Sequence, residues 1–150
     1  MAGTFHNLKF HLIFSTKQRE PWLTGEIPLR VHDYLGGIIR SENGAVLEIG
    51  GVADHVHILF GWRTDEALSV LVRNLKANSS RWIHETFPAM RGFAWQEGYS
   101  VFSVSESQVD KVRNYIQGQA EHHRVKPFKE ELLEFLRAHN VRFEERYVFD

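Results

Sequence analysis

Asp54-His55-Val56-His57-Ile58-Leu59-Phe60 alternates with a period of two. As a β-strand it sends Val56, Ile58 and Phe60 to one face and His55, His57 and Leu59 to the other. The first face is apolar and belongs in a core. The second carries two imidazoles that project from nearby points and, when neutral, can share one divalent metal ion, a third ligand coming from elsewhere. In a chain with nine histidines in 150 residues, a His-x-His pair is also ordinary strand surface. The neighbouring segments have to decide.

Upstream, residues 45–50 read as a strand joined to this one by a tight connection containing Gly51. Before them Ile27, Val31, Tyr34, Leu35, Ile38 and Ile39 recur at helical spacing. Pro28 suits the first turn and Asn43-Gly44 the stop, so a helix is expected over about 27–42. Residues 5–16 alternate as well, with Leu8, Phe10, Leu12 and Phe14 opposite Lys9, His11, Ile13 and Ser15. That is a strand with a mostly polar outer face.

Downstream, Thr64 or Asp65 can cap a helix whose apolar stripe is Leu68, Leu71, Val72, Leu75, Trp82 and Ile83. Its other sides carry Arg73, Lys76 and Arg81 among amides and hydroxyls, either a solvated face or a set of phosphate contacts. A fourth strand is expected over 93–104, containing Trp95, Tyr99 and Phe102. Ser105-Glu106-Ser107-Gln108 has the form of a capping box for a third helix, with Val109, Val112, Ile116 and Ala120 inward. Tyr115 and Gln119 flank that stripe four residues apart, on neighbouring turns. Gly118 between them marks a looser joint or a close packing contact. Pro127 begins a last helix with Phe128, Leu132, Phe135 and Leu136 inward.

The order β-α-β-β-α-β with added C-terminal helices predicts an α+β fold, a ferredoxin-like or RNA-recognition-type sandwich. Its four-stranded antiparallel sheet has helices on one face and the other face open. The first and third strands are then central neighbours, which brings His11 towards His55 and His57. Residues 1–150 are expected to form one domain, since 43% hydrophobic and 25% charged residues suit a single core.

Zero cysteines remove disulfides, zinc knuckles and thiol catalysis, so any nucleophile is oxygen or nitrogen. The sequence lacks an apolar run long enough for a membrane span and a charged-then-apolar signal, so a cytoplasmic protein without a membrane partner is expected. The net charge of −1 hides an uneven distribution. Residues 1–19 hold Lys9, Lys17 and Arg19 without an acid, whereas Glu130, Glu131, Glu134, Glu144, Glu145 and Asp150 crowd the end. A basic face for a polyanion can coexist with that acidic tail.

Asp54 to Leu59, Trp95 to Ser105, Tyr115-Ile116-Gln117-Gly118-Gln119 and Glu121-His122-His123 together closely resemble the single-tyrosine HUH transposases of the insertion sequence 200/605 family. The opening His11 to Arg19 and the closing Glu134 to Leu136 and Arg146-Tyr147 match as well, so the likeness spans almost the whole chain. The resemblance implies that His55, His57 and Gln119 bind Mg²⁺ or Mn²⁺. It implies that Tyr115 attacks a phosphodiester of single-stranded DNA, leaving a 5′-phosphotyrosine and a free 3′-hydroxyl. It also implies hairpins in single-stranded DNA as partners and a homodimer in which the tyrosine acts in cis or in trans. Lys9, Lys17, Arg19, Arg73, Lys76 and Arg81 are the expected DNA contacts. Because the reference pKa of tyrosine is about 10, Tyr115 needs activation, which the metal and a nearby base can supply, Lys111 and His122 being the candidate bases by helical position.

Three rival readings stand beside this one. A non-catalytic binder would stack bases on Trp95, Tyr99 and Phe102 across an open sheet. A repeat-associated hairpin nuclease would use the same chemistry without mobilising itself. A metal hydrolase would use the histidines with water and leave a free 5′-phosphate.

Overall fold

The computed structural model describes residues 3–121 and 126–148. Its sheet has four strands, β1 (Lys9–Ser15), β2 (Ala45–Val52), β3 (His55–Gly61) and β4 (Ser100–Ser103), in the order β2-β3-β1-β4 with every pairing antiparallel. This is the expected ferredoxin-like arrangement, with β1 and β3 at its centre. Helices α1 (Ile27–Ser41) and α2 (Leu68–Thr86) cover one face. There Leu12, Phe14, Val56, Ile58 and Phe60 meet Val31, Leu35, Ile39, Leu71, Leu75 and Ile83 in the main core. The apolar half of each period-two strand thus faces the apolar stripe of each period-3.6 helix. Asn43, with φ of 66°, ends α1 in the left-handed region, as the Asn-Gly stop requires.

The other face is not open. Helix α3 (Val109–Gln117) lies over Leu59, to which Val109 and Ile116 pack. Helix α4 (Phe128–Ala138) lays Phe128, Leu132, Leu133 and Leu136 on Ile13 and Phe102. The outer-face residues His11, Ile13, Ser15, His55, His57 and Leu59 are consequently all buried. Ile13 and Leu59 interrupt that polar face, and burying them supports two further helices.

Several boundaries differ from expectation for local reasons. The reversal between β2 and β3 falls at Ala53-Asp54, one pairing beyond Gly51. Helix α2 starts after Ala67 with no side-chain cap, and Asp65 instead pairs with Arg63 at 3.3 Å. The capping box does not form: Glu106 turns back to Lys9 at 2.6 Å, and residues 106–108 make a 3₁₀ turn leading into α3. Strand β4 is far shorter than 93–104. Phe93 and Trp95 reach the main core from an irregular segment, which touches the sheet through a single bridge from Trp95 to Thr16.

Helix α3 ends at Gly118, and the chain is helical again at 119–121. Ala120 is exposed, not part of the buried stripe. A Cβ on Gly118 would meet only ordinary contacts, 3.5 Å from the Asn114 carbonyl oxygen, so this glycine marks a joint and not a tight packing point.

Candidate active site

The central strands deliver the imidazoles. His55 and His57 leave β3 on the face covered by α3 and α4, with no exposed surface. Each ring is held from behind. The Nδ1 of His55 is 2.7 Å from the Asp54 carboxylate, a residue placed by the β2–β3 reversal. The Nδ1 of His57 is 2.7 Å from Nε2 of His11 on β1, the approach that the strand order implied. Burial and the adjacent His57 keep the His11 imidazole well below the usual histidine range, so it stays neutral. Such partners fix the ring orientation and leave both Nε2 atoms directed at a common point.

Glu131 of α4 meets them there. Its Oε1 is 3.1 Å from Nε2 of His57 and 3.8 Å from Nε2 of His55, and the carboxylate is 2% exposed. One donor atom from each of His55, His57 and Glu131 lies within 4.8 Å of the others. Gln119 brings its Oε1 to 3.1 Å from Nε2 of His55 despite the break at Gly118. Two imidazoles, a carboxylate and an amide oxygen are a donor set suited to a divalent cation that prefers nitrogen and oxygen. The position that the strand pattern leaves open for a third ligand is approached both by Gln119 and by Glu131, which in the sequence stands only as part of an acidic tail.

Tyr115 completes the constellation. Its ring centroid is 5.8 Å from that of His57, and its hydroxyl donates a short hydrogen bond to Oε2 of Glu131. Burial, then that carboxylate, push the phenol above the usual tyrosine range, so it stays protonated at neutral pH. The two oxygens of Glu131 thus divide their work, one towards the imidazoles and one on the phenol. Lys111 stands at the exposed side of α3, and His122 lies outside the described residues.

Gly50 lets α3 come this close. It pairs with His57 across β2 and β3, and a Cβ there would lie 2.6 Å from the Ile116 carbonyl oxygen. Backbone cannot yield as a flexible side chain does. Gly50→Ala is therefore expected to lift the end of α3, destabilise the fold by about 1–3 kcal/mol and move Tyr115 away from His57. Thermal unfolding together with the yield of protein–DNA adduct checks this; an unchanged melting temperature would refute it.

The basic residues fall into three groups. Lys17 and Arg19 form a 3₁₀ turn at the end of β1 where Ser15 pairs with His55, and both are exposed at that end of the sheet. Arg73 and Arg81 are exposed on α2, in the layer opposite the histidines. Lys9 is paired with Glu106, and the Lys76 ammonium is taken up by the carbonyl oxygens of Gln96, Glu97 and Gly98. Burial brings the Lys76 pKa down to about 8. Lys76 therefore fastens the irregular segment before β4, where a phosphate contact had been expected. The stacking platform of the binder reading does not form, since of its three rings only Tyr99 is exposed. Trp95 sits in the main core with its Nε1 donating to Ser79 Oγ at 2.9 Å, and Phe102 is covered by α4.

Among the described residues, no helix is long and apolar enough to cross a membrane. Comparison with known proteins gives a consistent result. The family model described as "Transposase IS200 like" matches residues 4–119, ending before α4 and Glu131. The chain is 29% identical over 122 residues to the ISDra2 transposase TnpA of Deinococcus radiodurans, covering 78% of this chain and 87% of that one. It is 31% identical over 127 residues to the transposase for insertion sequence element IS200 of Salmonella typhimurium, covering 81% and 82%. A crystallised protein of Deinococcus radiodurans R1, described as a transposase, superposes with a TM-score of 0.67 at 28% identity over 79% of this chain and 95% of its own. A REP-associated tyrosine transposase bound to a REP hairpin shares the fold at a TM-score of 0.58 and 12% identity, over 100% of this chain and 93% of its own. On the family match over residues 4–119 and the identity to these relatives, this chain belongs to the IS200-like transposases.

Proposed function

We propose that this transposase cleaves and rejoins single-stranded DNA at hairpin-bearing ends through a 5′-phosphotyrosine on Tyr115. The observation that carries the proposal is the meeting, within one chain, of the Tyr115 hydroxyl, the Glu131 carboxylate and the two Nε2 atoms of His55 and His57. That arrangement acts in cis. His55, His57 and Glu131, with Gln119, would hold Mg²⁺ or Mn²⁺. When bound, such an ion polarises the scissile phosphate and stabilises charge on the leaving 3′-oxygen.

The chain's own residues supply the rest. The phenol oxygen of Tyr115 attacks phosphorus, the bond from phosphorus to the 3′-oxygen breaks, and the phenol proton passes to Oε2 of Glu131. The 3′-oxygen leaves as a hydroxyl, and the proton it gains balances the one that Tyr115 gives up to Glu131. Because the phosphodiester is exchanged for a phosphotyrosine, a 3′-hydroxyl can attack the link in the reverse sense and rejoin strands without an external energy source. Asp54 and His11 hold the two rings in the tautomers that direct Nε2 at the reaction centre. Lys17 and Arg19 contact the strand near the cut, while Arg73 and Arg81 meet DNA that extends around to α2. A homodimer carries two such sites, each able to function alone.

The test uses end-labelled single-stranded hairpins taken from beside the gene, incubated with the protein in Mn²⁺ or in EDTA and separated under denaturing conditions. A labelled covalent adduct in Mn²⁺, at least about 10²-fold weaker in EDTA and mapping to Tyr115 by mass spectrometry, is the expected result. A free 5′-phosphate and no adduct would support the hydrolase instead. A hairpin nuclease that does not mobilise itself is the second reading, and the shared fold of a REP-associated tyrosine transposase bound to a REP hairpin supports only hairpin DNA as the partner of either. Its protein chemistry is identical, and capture of a new target strand separates it from a transposase.

A further inference from the structure

Lys76 stands in the layer opposite the histidines, yet the backbone it fastens leads to them. The ladder between β1 and β4 ends where Ile13 pairs with Ser100, and contact resumes at the single bridge of Thr16 to Trp95. Two residues of β1 thus face four of the other segment, Gln96 to Tyr99, and the surplus bulges out. Within the bulge Gln96 takes both backbone groups of Ser15. Its N–H donates to the Ser15 carbonyl oxygen at 2.9 Å, and its Oε1 accepts from the Ser15 N–H at 2.8 Å. The carbonyl oxygens of Gln96, Glu97 and Gly98 all accept from the Lys76 ammonium, the first two at 2.8 Å and 3.2 Å. The rings of Phe14 and Tyr99 lie 5.5 Å and 5.6 Å from the same nitrogen. Three convergent carbonyls and two aromatic rings make a cage for a cation, which the chain fills from its own helix. One turn further along α2, Ser79 accepts from Nε1 of Trp95, so the helix grips this segment twice.

We propose that Lys76 is a positioning residue for the active site, an internal cation that draws the bulge together and so keeps Gln96 on Ser15. From Ser15 the order passes to the imidazole of His55 through bonds at the end of β1. The Thr16 N–H donates to the Asp54 carbonyl oxygen at 2.9 Å and the Thr16 hydroxyl does so at 3.3 Å. The Asp54 carboxylate in turn holds Nδ1 of His55 at 2.7 Å. Ser15 is also the residue opposite His55 across β1 and β3. Without a cation in the cage, three carbonyl oxygens at close range lose their donor and the bulge opens. Ser15 and Thr16 then loosen, and His55 loses the fixed aim of its Nε2. The proposed strand-transfer function enters this inference only as the activity by which the aim is read.

The experiment removes the cation and then returns it. Lys76→Ala leaves room for n-propylammonium, whereas Lys76→Met fills the stem without a charge. Hydrogen exchange of the metal-free protein is read at the Ser15 and Thr16 amides, with Leu35, buried in α1, as the reference. In Lys76→Ala the two amides should exchange about tenfold faster than in wild type while Leu35 is unchanged, and propylammonium, but not sodium at equal ionic strength, should restore protection. Adduct formation should need about tenfold more Mn²⁺ at half-saturation, and hairpin affinity should stay within about twofold of wild type. Propylammonium should correct the Mn²⁺ requirement in Lys76→Ala and not in Lys76→Met. Weaker hairpin binding with Ser15 protection intact would make Lys76 a phosphate contact and overturn the proposal. Equal acceleration at Leu35 would overturn it too, by reducing Lys76 to general stability. If Lys76→Ala does not fold alone, the amine decides: folding regained with propylammonium supports the cage, and no recovery refutes it. Protection lost and restored as expected, with no adduct from wild type, would keep the tie from Lys76 to Ser15 and sink the strand-transfer function.

Discussion

Tyr115→Phe is expected to abolish the covalent protein–DNA product, a fall of at least about 10⁴-fold in adduct yield, while hairpin affinity changes by less than about threefold. The asymmetry follows from position. The phenol oxygen is the only part of the side chain that the chemistry needs, and the ring that packs against Phe135 at 5.4 Å and His57 at 5.8 Å is kept. The variant also reports on nucleophile identity. If water were the attacking group, Tyr115→Phe would continue to cut in Mn²⁺ and would release a free 5′-phosphate. Stability gives a second readout. Without the hydroxyl, the buried Glu131 loses a donor, so the metal-free variant should unfold about 1–3 kcal/mol more easily than wild type. Mn²⁺ that binds the folded state should restore part of this loss, in proportion to the logarithm of its concentration. Calorimetry with and without Mn²⁺ measures both effects.

The sequence revealed the sheet because its central strands alternate cleanly. Val56, Ile58 and Phe60 went to the main core as the period demanded, and strand order alone brought His11 to His57. Patterns failed where burial is not carried by regular structure. Phe93 and Trp95 are apolar because they fill the core, yet they sit in an irregular segment whose Gln96, Glu97 and Gly98 carbonyl groups are satisfied by Lys76 and not by a strand ladder. The expectation of an open face failed for a related reason. Ile13 and Leu59 were single apolar residues on polar faces, and their covering helices lie far along the chain.

Glu131 is the most informative omission. In a stretch containing Glu130, Glu131 and Glu134 it resembles the solvated side of a helix. Helical spacing nevertheless distinguishes it. Glu131 follows Phe128 by three residues and precedes Phe135 by four, which places it within the buried stripe, whereas Glu130 falls outside. A carboxylate inside an apolar stripe is costly to bury without partners, and its presence signals that partners exist. The family match over residues 4–119 ends before α4 and so does not cover Glu131.

Glu131→Gln should reduce adduct formation by about 10²–10⁴-fold, the range expected when a positioned proton acceptor is lost. Glutamine keeps the size and an acceptor oxygen, so the packing of α4 on Ile13 and Phe102 survives. It cannot take the phenol proton, and it offers a metal a neutral oxygen where a carboxylate stood. These two losses separate on titration with Mn²⁺. If Glu131 serves only as a ligand, the variant needs more Mn²⁺ but reaches the wild-type rate at saturation. If it also accepts the proton from Tyr115, the plateau itself stays low at any metal concentration. The contact of Oε2 with the phenol predicts the second pattern, a raised half-saturation together with a depressed plateau. Glu130→Gln, one residue away but exposed, should leave both parameters within about twofold of wild type. An equal effect of the two substitutions would assign the loss to the general charge of α4, and the division of labour between the two oxygens of Glu131 would have to be abandoned.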